Sequence, residues 1–206
     1  MTPEAVCSTW DVSRETADRL VAYSEILLQW NARINLIGRA TEGDLWHRHI
    51  ADSAQLFDFL PDPAARWLDI GSGGGLPGIV IAIFAAEMRP DLSVMLVESD
   101  QRKAAFLRAA ARQCGISVDI KAERIEAFKI APPDVLSARA LASLARLFEL
   151  SEHLVSSETT LLLPKGARWR KEMTEALENW SFDCEETPSS TDEHGVILKI
   201  GDLKRV

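Results

Sequence analysis

Residues 69–78 read Asp69-Ile-Gly71-Ser-Gly73-Gly74-Gly75-Leu76-Pro77-Gly78, and no other stretch limits the possible folds so strongly. Before it, Trp67-Leu68-Asp69-Ile70 reads as a short buried strand. After it, Gly78 to Met88 reads as a helix. A glycine-rich turn from strand to helix is the first turn of a βαβ unit. Glycine permits positive φ and close approach of backbone to a ligand. The helix start beyond it has N–H groups without intrahelical partners. Ligands of open α/β sheets bind at the carboxyl ends of the strands, so the turn predicts a binding site there.

The rest of the chain agrees. Val94 to Val97, Val118 to Ile120, Val135-Leu136 and Leu161 to Leu163 are further strand candidates. Helices are predicted over 100–113, about 141–155 and 168–180, and Phe182 to Glu185 pairs with Gly195 to Ile200 as a late hairpin. Alternation of this kind means a mostly parallel sheet, here of seven strands with an antiparallel C-terminal hairpin. Ahead of it lies a helical extension. Residues 11–31 place Val12, Leu20, Val21, Ile26, Leu27 and Trp30 at helical spacing, with Asp11 and Ser13 as caps. Residues 43–60 predict a second helix through Leu45, Ile50, Ala54, Phe57 and Leu60. Pro61-Asp62-Pro63 divides a lead (1–62) from a body (63–206) within one expected domain.

Two ligand classes satisfy the loop. Gly73 to Gly78 fits the dinucleotide pattern G-x-G-x-x-G, whereas Gly71, Gly73 and Gly75 fit the G-x-G-x-G of methyltransferases. Glu98, twenty residues beyond Gly78 at the end of the second strand, can accept both ribose hydroxyls of either ligand. Asp69 favours the second class. An acid before the first glycine suits the cationic ammonium and sulfonium of S-adenosylmethionine and is badly placed against a pyrophosphate. The fold expected is therefore a Rossmann-like class I methyltransferase. An oxidoreductase would need a hydride-transfer partner, and no Tyr-x-x-x-Lys element is present.

Three scattered cysteines, Cys7, Cys114 and Cys184, argue for a reducing compartment and against a disulfide framework or zinc. His47 and His49, two residues apart, do not share a helix face, so no metal site is expected. With neither a signal-peptide pattern nor a long apolar run, the expected location is the cytoplasm, with no membrane association. The net charge of −8 counts against nucleic-acid binding. The cations nevertheless cluster: Arg102, Lys103, Arg108 and Arg112; Lys165, Arg168, Arg170 and Lys171; and Arg33, Arg39 and Arg48. Facing one cleft, they would form a positive patch on an acidic protein. Facing solvent, they would pair with neighbouring acids.

With these residues in view, the chain resembles the RsmG family (glucose-inhibited division protein B), the 16S rRNA guanine-N7 methyltransferases. The likeness is carried by Trp30-Asn31 with Asn35-Leu36, Arg48-His49-Ile50-Ala51-Asp52-Ser53, the glycine loop, Glu98-Ser99 with Lys103, Arg124-Ile125-Glu126, Ser137-Ala138-Arg139-Ala140 and Pro164-Lys165-Gly166. Beyond about residue 185 it fades. The resemblance implies methyl transfer from S-adenosylmethionine to ring nitrogen 7 of one guanosine in small-subunit rRNA. It implies cofactor contacts at Gly71, Leu76, Ile125, Glu126 and Arg139. Ile125 stands where alanine is common in the family, and Gln101-Arg102-Lys103 replaces a more usual Lys-Lys pair.

Nitrogen 7 of guanine already carries an in-plane lone pair, so the reaction needs alignment and no general base. Arg139 is thus the expected positioning residue. His49, Arg102, Lys103 and Lys165 are candidate substrate contacts, each also readable as a structural or surface group. A monomer without a stable protein partner is expected, acting on a small-subunit ribonucleoprotein. A small-molecule methyltransferase is the main rival.

Overall fold

The computed structural model describes all 206 residues. The lead opens with α1, Pro3–Trp10, and α2, Arg14–Asn31. The Ser13 hydroxyl accepts the Thr16 N–H and caps α2. Asp11 does not cap α2; at φ 49° it terminates α1. That first helix is too short to show a period in the sequence. Its signature was Thr2 followed by Pro3, an N-cap and a proline in the first turn.

The helix expected over 43–60 is broken into pieces. Two 3-10 segments, Arg39–Asp44 and Gln55–Phe59, bracket a π-helical turn at Trp46–Ala51 and a single α-turn, α3, Asp52–Ala54. The apolar positions give the reason. Leu45 and Ile50, both buried, are five residues apart, a step that a π turn brings onto one face and an α-helix does not.

The body contains β1 (Arg66–Ile70), α4 (Gly78–Met88), β2 (Ser93–Val97), α5 (Gln101–Gln113), β3 (Asp119–Lys121), β4 (Val135–Ser137), α6 (Leu144–Ser151), β5 (Thr160–Lys165), α7 (Trp169–Ala176), β6 (Trp180–Pro188) and β7 (Val196–Arg205). The sheet order is β3-β2-β1-β4-β5-β7-β6. The first five strands are parallel, and β7 runs antiparallel to both β5 and β6. This is the Rossmann-like arrangement with a terminal antiparallel hairpin. From β1 the chain runs outward to β2 and β3, then returns to β4 on the other side of β1. The crevice between the ends of β1 and β4 is therefore the switch point where such sheets bind ligands.

Strand alternation sends side chains to two cores. Trp67, Leu96 and Val135 pack with the lead, α4 and α5 on one face, whereas Leu68, Ile70, Leu136 and Leu161 pack with α6 and α7 on the other. α4 is buried on nearly all sides, from Gly78 through Ala85, because it is sandwiched between the sheet and the lead. The lead is thus a third layer laid over the first helical layer, and it reaches the carboxyl ends of the strands.

Candidate active site

The glycine loop is tied to the next strand over. The N–H groups of Gly71 and Ser72 donate to the Val97 carbonyl at 2.9 and 3.2 Å. Gly73 has φ 54°, and a Cβ built there would meet nothing nearer than 3.8 Å. The loop thus offers bare backbone to a cavity of about 600 Å³. Gly75 serves the turn instead: at φ 82°, a Cβ there would come within 2.5 Å of Ile79. It does not line the cavity, unlike Gly71, Gly73 and Leu76.

Glu98 bridges the ends of β1 and β2. Its Oε2 accepts the Gly73 N–H at 2.8 Å and its Oε1 accepts the Asp100 N–H at 2.7 Å. It is 7% exposed and borders the cavity, with further lone pairs on both oxygens. Ile125 and Leu76 supply apolar wall, and the exposed Glu126 pairs with Arg146 at 3.6 Å across the rim. This donor set fits S-adenosylmethionine: a carboxylate for ribose hydroxyls, apolar faces for adenine and free backbone for the amino-acid end.

Asp69 sits elsewhere than expected. It is fully buried and does not line the cavity. Its Oδ1 accepts the Ser137 hydroxyl at 2.7 Å, and Ser137 in turn accepts the Trp67 indole N–H at 2.8 Å. Its Oδ2 has no hydrogen-bond partner and lies against Gly78 at the start of α4. Burial pushes the carboxyl up to about 6, against the hydrogen bond from Ser137. Its charge can act on a ligand only through the loop above it. The physical reason is the strand period: Asp69 shares a face with Trp67 and points under α4.

The lead roofs this cavity. The Asn31 Oδ1 accepts the N–H groups of Leu36 and Ile37 at 2.8 and 3.0 Å, folding residues 36–38 over the cavity. The fully buried Tyr23 donates to the Gly74 carbonyl at 2.5 Å. Asn31 was visible in the sequence without a role, and Tyr23 carried no signal apart from being the single tyrosine.

A second cavity, about 510 Å³, adjoins the first, and Arg139, Ala140 and Leu141 line both. Arg139 is held on three sides. Its Nε meets Asp52 Oδ2 at 2.9 Å, and its Nη2 donates to the Arg48 carbonyl at 2.7 Å and to His49 Nδ1 at 3.1 Å. Arginine only donates, so Nδ1 of His49 is the bare nitrogen and Nε2–H donates to the Thr41 hydroxyl at 2.7 Å. Burial first, then the Arg139 and Arg48 charges, lower the His49 pKa to about 4. The Asp52 backbone N–H donates to the His49 carbonyl within the helical lead, and their side chains meet through Arg139. Next to Arg139, Ala140 has φ 52°, a conformation costly for a residue with a Cβ.

A family description, rRNA small subunit methyltransferase G, matches residues 16–196. The chain belongs to this family. A relative of that name from Ruegeria sp. (strain TM1040) is 54% identical over 196 residues, covering 95% of each chain. Its counterpart from Ruegeria pomeroyi is 46% identical over the full length of both. Among solved structures, the O-methyltransferase from Bacillus cereus in complex with SAH superposes with a TM-score of 0.60 at 17% identity, covering 97% of this chain and 96% of that one. At that identity the likeness shows the fold. The cofactor of the rRNA small subunit methyltransferase G family is S-adenosylmethionine. No helix of the chain is long and apolar enough to cross a membrane.

The basic residues near the two cavities divide sharply. Arg48 and Arg168 are exposed at the second cavity and pair with no carboxylate, and Lys103 borders the first cavity equally unpaired. Lys165 lines the second cavity, but its side chain is 8% exposed and its ammonium is held by Glu172 and the Ala142 carbonyl, both at 2.9 Å. Glu172 also accepts the Leu144 N–H at 3.0 Å. Lys165 therefore braces the turn from β4 into α6 rather than offering a free cation. Arg102 lines neither cavity; its side chain is 74% exposed and pairs with Asp100 at 3.3 Å.

Proposed function

We propose that this chain methylates ring nitrogen 7 of a single guanine in 16S rRNA of the small ribosomal subunit, acting as a one-domain monomer in the cytoplasm. The observation that carries the proposal is the pair of adjoining cavities sharing Arg139, one of them built around the glycine loop and Glu98. S-adenosylmethionine supplies an electrophilic methyl group on sulfur. Glu98 would hold its ribose, Ile125 and Leu76 would flank its adenine, and the Gly71–Gly73 backbone would receive its amino-acid end. The second cavity would take the target base, with Arg48 and Arg168 holding the adjacent phosphates.

The groups at the seam are suited to alignment. Nδ1 of His49 is occupied by Arg139, Nε2–H is turned to Thr41, and Asp52 Oδ2 is held by the guanidinium. A ring nitrogen with its own lone pair needs nothing from them except position. Holding two reactants in line supplies on the order of 7–11 kcal/mol of barrier reduction. Arg139, fixed by three anchors, fits this role: it can orient the base while its charge stays put. The unpaired cations bordering the two cavities are few, against a net charge of −8 for the chain, which suits a structured ribonucleoprotein better than bare RNA.

The test is transfer of tritiated methyl from S-adenosylmethionine to small subunits from cells lacking this protein, followed by mapping of the label. Label at one guanine nitrogen 7 is expected. Cofactor binding with no label on rRNA would overturn the ribosomal substrate and leave a methyltransferase for a small molecule.

A further inference from the structure

Asp52 stands where three distant parts of the chain converge. Its Oδ2 holds the Arg139 Nε at 2.9 Å. Its Oδ1 accepts the Thr191 hydroxyl at 2.7 Å and the Gln55 Nε2–H at 3.0 Å. Gln55 then fastens the β6–β7 turn: its Oε1 accepts the Ser190 N–H at 3.0 Å and the Ser190 hydroxyl at 2.9 Å. That turn is a wall of the second cavity, through Ser189, Thr191, Asp192 and Gly195. Asp52 and Arg139 side chains are 15% and 17% exposed, so the pair is shielded enough to be strong and geometrically definite.

We propose that Asp52 is a positioning residue, holding the Arg139 guanidinium at the seam of the two cavities and transmitting to it, through Thr191, the seating of the β6–β7 turn. A turn of 139 residues' separation from Asp52 has no local reason to bond it. What the bond accomplishes is to set one wall of the second cavity and the arginine of the seam by the same carboxylate. Arg139 bears the strain of its neighbour Ala140 at φ 52°, and strained backbone persists where surrounding contacts over-determine it. The Asp52 bond is one of those contacts. An acceptor pressing on the turn at Ser189–Thr191 would then register at Arg139 without touching it.

The proposal rests on the methyl-transfer reading, and its test separates the two. The full-length protein is compared with Asp52→Asn, Thr191→Val and Arg139→Ala, singly and with each of the first two combined with Arg139→Ala. Measurements are kcat and KM with small subunits, S-adenosylmethionine affinity by calorimetry, and the thermal midpoint. Asp52→Asn is expected to lower kcat about tenfold, the scale of one lost charge-assisted hydrogen bond, with KM for subunits nearly unchanged. Thr191→Val is expected to lower it about threefold. In the Arg139→Ala background neither change should matter by more than about twofold, because coupled residues are not additive.

Equal losses with and without Arg139, or a lowered thermal midpoint with kcat and cofactor affinity untouched, would overturn it. If Asp52→Asn does not fold, Thr191→Val and its double variant carry the same comparison. Absence of rRNA methylation by the unaltered protein would sink the functional reading alone. The positioning claim would still be read from cofactor affinity, which Thr191→Val should shift by about threefold only while Arg139 is present.

Discussion

The two cavities were built in different ways. The first is assembled largely from one contiguous loop and the strand ends beside it, and it combines bare glycine backbone with the Glu98 carboxylate. The second draws on Arg48 and Asp52 of the lead, Arg139 after β4, Lys165 at the end of β5, Arg168 beyond it, and the β6–β7 turn, and its working surface is side chains. A backbone site tolerates little at a few positions. A side-chain site is held by networks, and its weak points are the bonds between segments.

The sharpest way to break the contrast is at Gly73. Its φ of 54° and open Cβ direction mean that Gly73→Asp would thrust a carboxylate into the cavity beside Glu98. Calorimetry should show S-adenosylmethionine affinity falling by about 100-fold or more, since two like charges and a filled cradle act together. The αL penalty for a non-glycine residue, roughly 1–2 kcal/mol, should cost only a few degrees of thermal midpoint. Glu98→Ala should weaken binding by about 10- to 100-fold, as expected for lost hydrogen bonds to a charged group. Normal affinity in both variants would mean that the cofactor does not lie on this loop.

At the second cavity, Arg139→Ala tests side-chain control. It leaves the half-buried Asp52 without its cation and His49 without its donor. Turnover should drop by about 10- to 100-fold, the range of a lost charged hydrogen bond with its buried partner left behind. Cofactor affinity should fall much less. A reversed pattern, with affinity lost and kcat kept, would assign Arg139 to the first cavity alone.

That division also explains what could be read from the sequence. The loop, Glu98 and the strand-helix alternation are local patterns, so the sheet, its hairpin and the first cavity were legible. Asp69 was misplaced because the loop motif does not say which face of β1 it occupies; alternation from Trp67 does. The lead was read as two plain helices because period analysis assumes a constant pitch, and the five-residue step from Leu45 to Ile50 breaks it. Thr191 and Gln55 had no signal at all, since a bond between residues 139 or so apart leaves no trace in spacing. Arg48-His49-Ile50-Ala51-Asp52 was visible as a block, yet its point, Arg139, lies in another block.

Lys165 sharpens the comparison at a smaller scale. If its ammonium is a brace for the β4–α6 turn, Lys165→Met should leave Glu172 half-buried and unpaired and cost about 1–3 kcal/mol of stability, read as several degrees in thermal midpoint. RNA-dependent KM should change by less than about twofold. A large rise in KM with an unchanged midpoint would make Lys165 a substrate contact.

The smallest effect is in pH, and it comes from two buried groups, His49 at the seam and Asp69 beneath the glycine loop. His49 has a folded pKa of about 4 against an ordinary 6.5, so the folded state resists its protonation and stability is lost as pH falls from 6.5 toward 4. Asp69 has a folded pKa of about 6 against an ordinary 3.8, so the folded state favours its protonated form and stability is lost as pH rises from 3.8 toward 6. Each slope is at most about 1.4 kcal/mol per pH unit. Between pH 4 and 6 they oppose each other, and their sum should be nearly flat. Urea midpoints across this window should expose each arm separately. Asp69→Asn removes the falling contribution, so its stability should climb with pH relative to the unaltered protein. His49→Gln removes the rising one, so its relative stability should decline. Identical pH profiles in all three proteins would mean that burial shifts neither group.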